Sequence, residues 1–235
     1  MWDNAALLRN IANTLIVASV CAMLYGAGFY VAHLPGLFPL QSVHLSDVPQ
    51  RVDTKEVLQV VRNEVNGNFF TVDIERLRQS LEKLPWVRNV SIRREFPHHL
   101  VVQLEEHQAL ARWNNTALVN QQGEVFVART EQVLPGFTGQ DGTSAEVTQN
   151  YVQFNQQLAV LDLQVTRMVL SPRHAWQLQL DNGMVLELGR EDMQQRLGKF
   201  VEVYPYSLAE MQNKVKYVDL RYRNGFAVGG LAKQG

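Results

Sequence analysis

The sequence predicts an α+β protein tethered by one N-terminal membrane helix, on three observations. The run from Ile11 to Leu34, "IANTLIVASVCAMLYGAGFYVAHL", contains no Asp, Glu, Lys or Arg. The stretch after it shows strand-period and helix-period apolar patterns in the order strand, helix, helix, strand, strand. A second series of alternating strands and amphipathic helices fills the remainder. The totals agree: 235 residues, 46% hydrophobic and 19% charged, suit a globular chain of one or two domains. Twenty-two basic against 23 acidic side chains leave a formal charge of -1, too little to draw the chain towards nucleic acid.

A helix of about 20 apolar residues crosses a hydrocarbon core of roughly 30 Å, so residues 11–34 read as one span. A cleaved signal peptide is the alternative. Its apolar region normally runs only about 7 to 15 residues, shorter than this one, although the small residues Gly26 to Gly28 would suit cleavage. Arg9 lies on the short side, and the next basic residue is Arg51. Positive charge therefore places residues 1–10 in the cytoplasm and the bulk of the chain outside. The single cysteine, Cys21, falls inside the span, so the exported part has no disulfide to form.

Residues 35–39 close "HLPGLFP", where two prolines and a glycine end the helix and make a linker. Leu40, Val43 and Leu45 suggest a strand stopped by Asp47 and Pro49. Asp53 or Thr54 can cap a helix with Val57, Leu58, Val61 and Val65 on one face, and Asn66-Gly67 ends it. Asp73 caps a second helix, in which Ile74, Leu77, Leu81 and Leu84 recur at spacings of three and four. Trp86, Val90, Ile92 and Phe96 then share a strand face, as do Leu100, Val102 and Leu104 after Pro97. Residues 40–111 form the first domain.

Residues 112–235 form the second. Val147, Tyr151, Phe154, Leu158 and Leu161 line a helix. Trp176, Leu178 and Leu180 alternate into the turn Asp181-Asn182-Gly183, and Met184, Leu186 and Leu188 return on the same face. Glu191 to Tyr204 is amphipathic, with Met193, Leu197, Phe200 and Tyr204 inward and Pro205 as its end. Val218, Leu220 and Tyr222 alternate before the hairpin signal Asn224-Gly225, and Phe226 to Val228 is a short closing strand. The whole is an antiparallel sheet with packed helices, an α+β arrangement.

Catalytic constellations do not emerge. Glu105 and Glu106 are neighbours on a strand and so point to opposite faces, unlike a hydrolase pair; a solvated strand end is expected. His98 and His99 follow a proline without metal-ligand spacing and read as exposed turn residues. His33, His44, His107 and His174 are scattered, and none lies in a nucleophile motif. "LGRED", Leu188 to Asp192, lacks the glycines and lysine of a phosphate loop and suits a helix start. No cofactor or metal is expected. The cluster Arg88, Arg93, Arg94 is either a solvated face or a contact for a partner protein or acidic headgroups.

"LPWVRNVSIRREFPHHLVVQLEEHQALARW", Leu84 to Trp113, resembles the second half of a POTRA domain of the FtsQ/DivIB family of bacterial cell-division proteins. "ALVNQQGEVF", "VLPGFTGQDGTSAEV", "AWQLQLDNGMVLELGRE" and "YVDLRYRNGFAV" resemble successive segments of that family in order, over nearly the whole chain. The resemblance implies an inner-membrane, single-pass divisome scaffold without enzymatic activity, periplasmic beyond its span and placed at the septum. It implies FtsB and FtsL as partners, with FtsB added to the C-terminal strand. Carried over residue by residue, Arg190 would pair an acidic group, Tyr222 would pack beside it, and Asn224-Gly225 would make the turn. Tyr222 has a second reading as a core residue. Where relatives can carry an aromatic after "AVG", this chain has Gly230, and Phe226 would compensate.

Two other readings compete. A POTRA protein of outer-membrane assembly or secretion would carry a long β-barrel, for which about 120 residues are too few. A periplasmic wall-acting enzyme would need a matched acid and base, an activated nucleophile or a metal site.

Overall fold

The computed structural model describes residues 5–34, 36–209, 215–222 and 225–230. They divide into two compact units, one ending at Glu106 and one starting at His107. Each is described by itself.

The first unit begins with α1, Ala5–Ala32, in which no described residue is buried. At about 1.5 Å per residue it is longer than the roughly 30 Å hydrocarbon core, which fits a single-pass membrane protein. There follow β1 (Ser42–Leu45), α2 (Thr54–Glu64), α3 (Ile74–Leu81), β2 (Val87–Glu95) and β3 (His99–Glu106). The sheet order is β1-β3-β2, with β1 parallel and β2 antiparallel to β3. Both helices start where a carboxylate satisfies a free amide: Asp53 accepts from Lys55 N at 2.8 Å and Asp73 from Arg76 N at 2.9 Å. Val57, Leu77, Leu81, Val90, Leu100 and Val102 make the core.

Two expected core residues lie outside it. Leu58 is exposed on the flank of α2, and Phe96, 71% exposed, sits in the turn after β2. A register shift between Val87 and Asn89 resets the face of β2, so Trp86 and Val87 are both buried.

The strand end at Glu105-Glu106 also differs from the solvated end expected. The two carboxylates do diverge, and Glu105 meets Arg88. Glu106, however, accepts the amides of Gln50 (3.1 Å), Arg51 (2.8 Å) and Val52 (2.8 Å), clasping the approach to α2. Burial pushes its carboxyl up, but those three amides and the Arg51 charge together hold it below the usual carboxylate range. His99 is likewise no free turn residue: it opens β3, with Nδ1 2.7 Å from Ser42 Oγ.

The second unit contains β4 (Ala109–Trp113), β5 (Ala117–Asn120), β6 (Val125–Phe126), β7 (Gly136–Thr138), α4 (Ser144–Leu158), β8 (Val165–Leu170), β9 (Trp176–Leu180), β10 (Val185–Gly189), α5 (Met193–Ser207), β11 (Tyr217–Asp219) and β12 (Ala227–Gly229). Among the described residues its sheet runs β12-β11-β10-β9-β8-β7-β4-β5-β6. β4 pairs with β5 here, so the second unit takes residues that the division at 111 assigned to the first.

The α+β class holds, with a mixed rather than wholly antiparallel sheet. β7 pairs β8 in parallel across α4, and β10 pairs β11 in parallel across α5; β4 and β7 are parallel as well. Helical crossovers return the chain in the same direction, which a tight hairpin cannot do. Phe154, Trp176, Leu178, Leu186, Leu197, Phe200 and Val218 share one core. α5 continues through Pro205 to Ser207: the proline withholds an amide only from the Val201 carbonyl, and the Leu208 amide still closes the last turn on the Tyr204 carbonyl at 3.0 Å.

Candidate partner-binding site

β12 is the outer strand of the nine-stranded sheet, paired on one side with β11 in the register Val218↔Val228. Among the described residues no strand pairs with its other side, whose main-chain donors and acceptors are ones to which another strand can add. The expected closing strand, Phe226 to Val228, forms one residue later, at Ala227–Gly229.

The end of β11 shapes what lies beside that edge. Val218, Asp219 and Leu220 are buried in succession, so the period-2 alternation that would put Tyr222 in the core stops here. Asp219 is the cause. Its carboxylate takes the Arg221 amide at 3.0 Å, Nε at 2.8 Å and Nη2 at 2.6 Å. The Arg221 side-chain hydrogen bonds hold Asp219 below the usual carboxylate range against its burial, and the same pair raises the Arg221 guanidinium. The fork bends the chain, and Tyr222 emerges 61% exposed. Its reading as a core residue is thereby excluded.

Tyr222, Gly225 and Phe226 come together along a groove of 430 Å³, with Leu220 at its base and Arg196, Lys199, Glu202 and Val203 of α5 as its opposite wall. Phe226 is half-buried and leans on the core. Apolar periodicity in the sequence marks only the inward stripe of α5, not these wall residues. Their spacing of three and four on the flank was the available signal. The wall carries two cations and one anion beside apolar side chains, a surface suited to an amphipathic segment with acidic groups. Arg196 is positioned by donating Nη1 to the Leu188 carbonyl at 2.6 Å.

Arg190 does not line this groove. It follows β10, two strands in from the edge, with a 70% exposed side chain whose Nε lies 3.4 Å from Glu191. Asn224 lies outside the described residues. Gly230 has φ +75, and a Cβ there would stand 2.9 Å from Lys216 Cβ, so an aromatic at this position requires a different backbone path. Among the described residues no group of three or more His, Cys, Asp or Glu side chains could hold a metal ion.

Fold and site together define a class: a single-span protein with a POTRA domain followed by a mixed-sheet domain in which β12 is the outer described strand. Residues 38–107 match the model of the FtsQ-type POTRA domain, and residues 111–221 match that of the C-terminal region of cell division protein FtsQ/DivIB. Cell division protein FtsQ of Nitrosospira multiformis is 40% identical over 98% of this chain and 99% of its own length. FtsQ of Bordetella pertussis is 37% identical over 97% and 92%, and that of Burkholderia pseudomallei 35% identical over 97% and 94%. The chain belongs to the FtsQ/DivIB family of bacterial cell-division proteins. Its role accordingly lies in the division machinery, through contacts with other division proteins.

Proposed function

We propose that this protein is a non-enzymatic scaffold of the divisome that binds FtsB, alone or joined to FtsL, by adding a strand of the partner to β12. The observation that supports this most directly is the open edge of β12 beside a groove onto which an exposed tyrosine projects. Main-chain hydrogen bonds contribute only about 1 kcal/mol each and do not discriminate between sequences. Specificity therefore comes from the groove: Tyr222 as the aromatic anchor, Phe226 as its half-buried support, and Arg196 and Lys199 facing acidic groups of the partner. Asn224 and Gly225 join Tyr222 and Phe226 as partner-binding residues in this reading. Arg190, outside the groove, meets a part of the partner that extends beyond the added strand. In this reading the N-terminus is cytoplasmic, both folded units are periplasmic, and the protein acts at the septum of the inner membrane.

The test is calorimetric titration of the full chain in nanodiscs with the periplasmic segment of FtsB, with and without FtsL. Saturable binding that Tyr222→Ala weakens supports the proposal. No binding in either arrangement rejects it, and reproducible release of fragments from cell-wall polymer would replace the scaffold with an enzyme.

A further inference from the structure

We propose that the membrane-proximal end of the POTRA domain rests in the bilayer surface, with Phe70 and Phe96 inserted among the lipid headgroups. From Arg9 to Ala32, α1 rises about 35 Å. With Arg9 at one headgroup layer, Ala32 reaches the opposite interface, and Tyr30 falls where an aromatic belt forms.

The POTRA domain is fastened to that point. Asn68 is buried, and its Nδ2 donates to the carbonyls of Ala32 at 2.8 Å and Leu34 at 3.2 Å. Its Oδ1 accepts the amides of Phe70 at 2.9 Å and Thr71 at 3.0 Å. The Phe69 amide bonds the Phe38 carbonyl at 2.9 Å. One side chain thus ties the last helical carbonyl of the span and the Leu34 carbonyl just after it to the loop that carries Phe70, and that loop lies at interface depth.

Apolar surface collects there. Phe70, 45% exposed, packs edge-on against Phe38 and Phe69, and Phe96 meets Phe69 with ring centroids 6.1 Å apart. The turn that bears Phe96 belongs to the same end, because the Gln41 amide bonds the His98 carbonyl at 2.9 Å. Arg94 donates to the carbonyls of Phe69 at 2.9 Å and Val72 at 3.0 Å, holding the loop against β2. Arg93 is exposed just before Phe96, where it suits acidic headgroups. The opposite end of β3, with the Glu106 clasp, lies about 23 Å away along the strand. A domain hung on a free linker would gain nothing from exposed phenylalanines, whereas one held at the interface buries them.

The test uses the full chain with Cys21→Ser, in nanodiscs of phosphatidylethanolamine and phosphatidylglycerol. Fluorescent labels are placed singly through Phe70→Cys, Phe96→Cys and Val48→Cys, the last at an 87% exposed position beyond the far end of β1. Lipids carrying a shallow nitroxide quencher should quench the labels at 70 and 96 at least threefold more than the label at 48. All three positions are solvent-facing without lipid, and unchanged tryptophan fluorescence verifies the fold of each variant. Labels at 70 and 96 no more quenched than that at 48 would overturn the proposal, and would instead leave this apolar face to a protein partner.

Discussion

Tyr222→Ala is the substitution that most directly tests the edge-strand site. In the free protein the side chain is 61% exposed, so truncating it removes little that holds the fold together. In a complex the exposed part becomes buried. A tyrosine buries about 200 Å² when fully covered, which leaves roughly 120 Å² to be gained on binding. At about 25 cal/mol per Å² this corresponds to at most about 3 kcal/mol. Ordering the ring and leaving its hydroxyl imperfectly paired reduce the net, so a loss of about 1 to 3 kcal/mol is expected. That is a rise in Kd of roughly 5- to 150-fold, with the urea unfolding midpoint of the second unit unchanged. Calorimetry with the FtsB segment gives the first quantity and tryptophan-detected unfolding the second. Unchanged affinity in a folded Tyr222→Ala variant refutes the assignment, and a large loss of stability refutes the view that the residue stands outside the core.

Three further outcomes are expected. Of Ala227→Pro and Val228→Pro, one removes an amide that faces β11 and lowers stability, while the other removes an amide on the open edge and weakens FtsB binding alone; full affinity in both variants would move the partner off β12. Glu106→Gln should destabilise the first unit by about 1 to 2 kcal/mol, since three amides lose a charged acceptor that is still partly solvated. Because the folded-state carboxyl lies below its unfolded value, this contribution is complete above the unfolded pKa of about 4.3 and disappears as the pH falls through the folded value. The gap between wild type and variant should therefore close on acidification, as followed by fluorescence of Trp86, over whose ring Arg51 lies at 4.5 Å. Gly123→Ala forces φ +82 on an L side chain and places its Cβ 2.4 Å from Ala145 Cα; a loss of about 2 kcal/mol or more is expected by thermal unfolding, and a neutral result would contradict the packing described.

The POTRA order was legible because its helices carry capping aspartates and strong 3.6-residue periodicity and Pro97 separates its last two strands, although β2 shifts register and Leu100, Val101 and Val102 of β3 are buried in succession. β8 was not. A register shift between Val165 and Arg167 breaks its alternation, so buried Val165, Met168 and Leu170 fit no simple period. Parallel pairing was hidden too, since nothing in β10 or β11 by itself states which way its neighbour runs. Tyr222 shows the limit most sharply. Val218 and Leu220 continue a correct pattern, and only the fork between Asp219 and Arg221 reveals that the next member of the series turns outward. Asn68 and Glu106 were missed for a related reason: single polar residues have no period, and their role depends on which backbone groups the fold brings to them.

The crossover that makes the sheet mixed also builds the candidate site. An antiparallel hairpin from β10 would have placed the next strand at the edge with no helix beside it. Because α5 intervenes, β11 runs parallel to β10, and the chain must turn once more to form β12 as the new outer strand. The same helix supplies Arg196, Lys199 and Val203 as one wall of the groove, while its inward stripe, Leu197 and Phe200, is fully buried in the core. Main-chain pairing and side-chain selection are thus held in register by one packed element. A shift of α5 that loosened the core would separate the groove wall from the edge strand, so substitutions at Leu197 or Phe200 would impair partner binding without touching the partner.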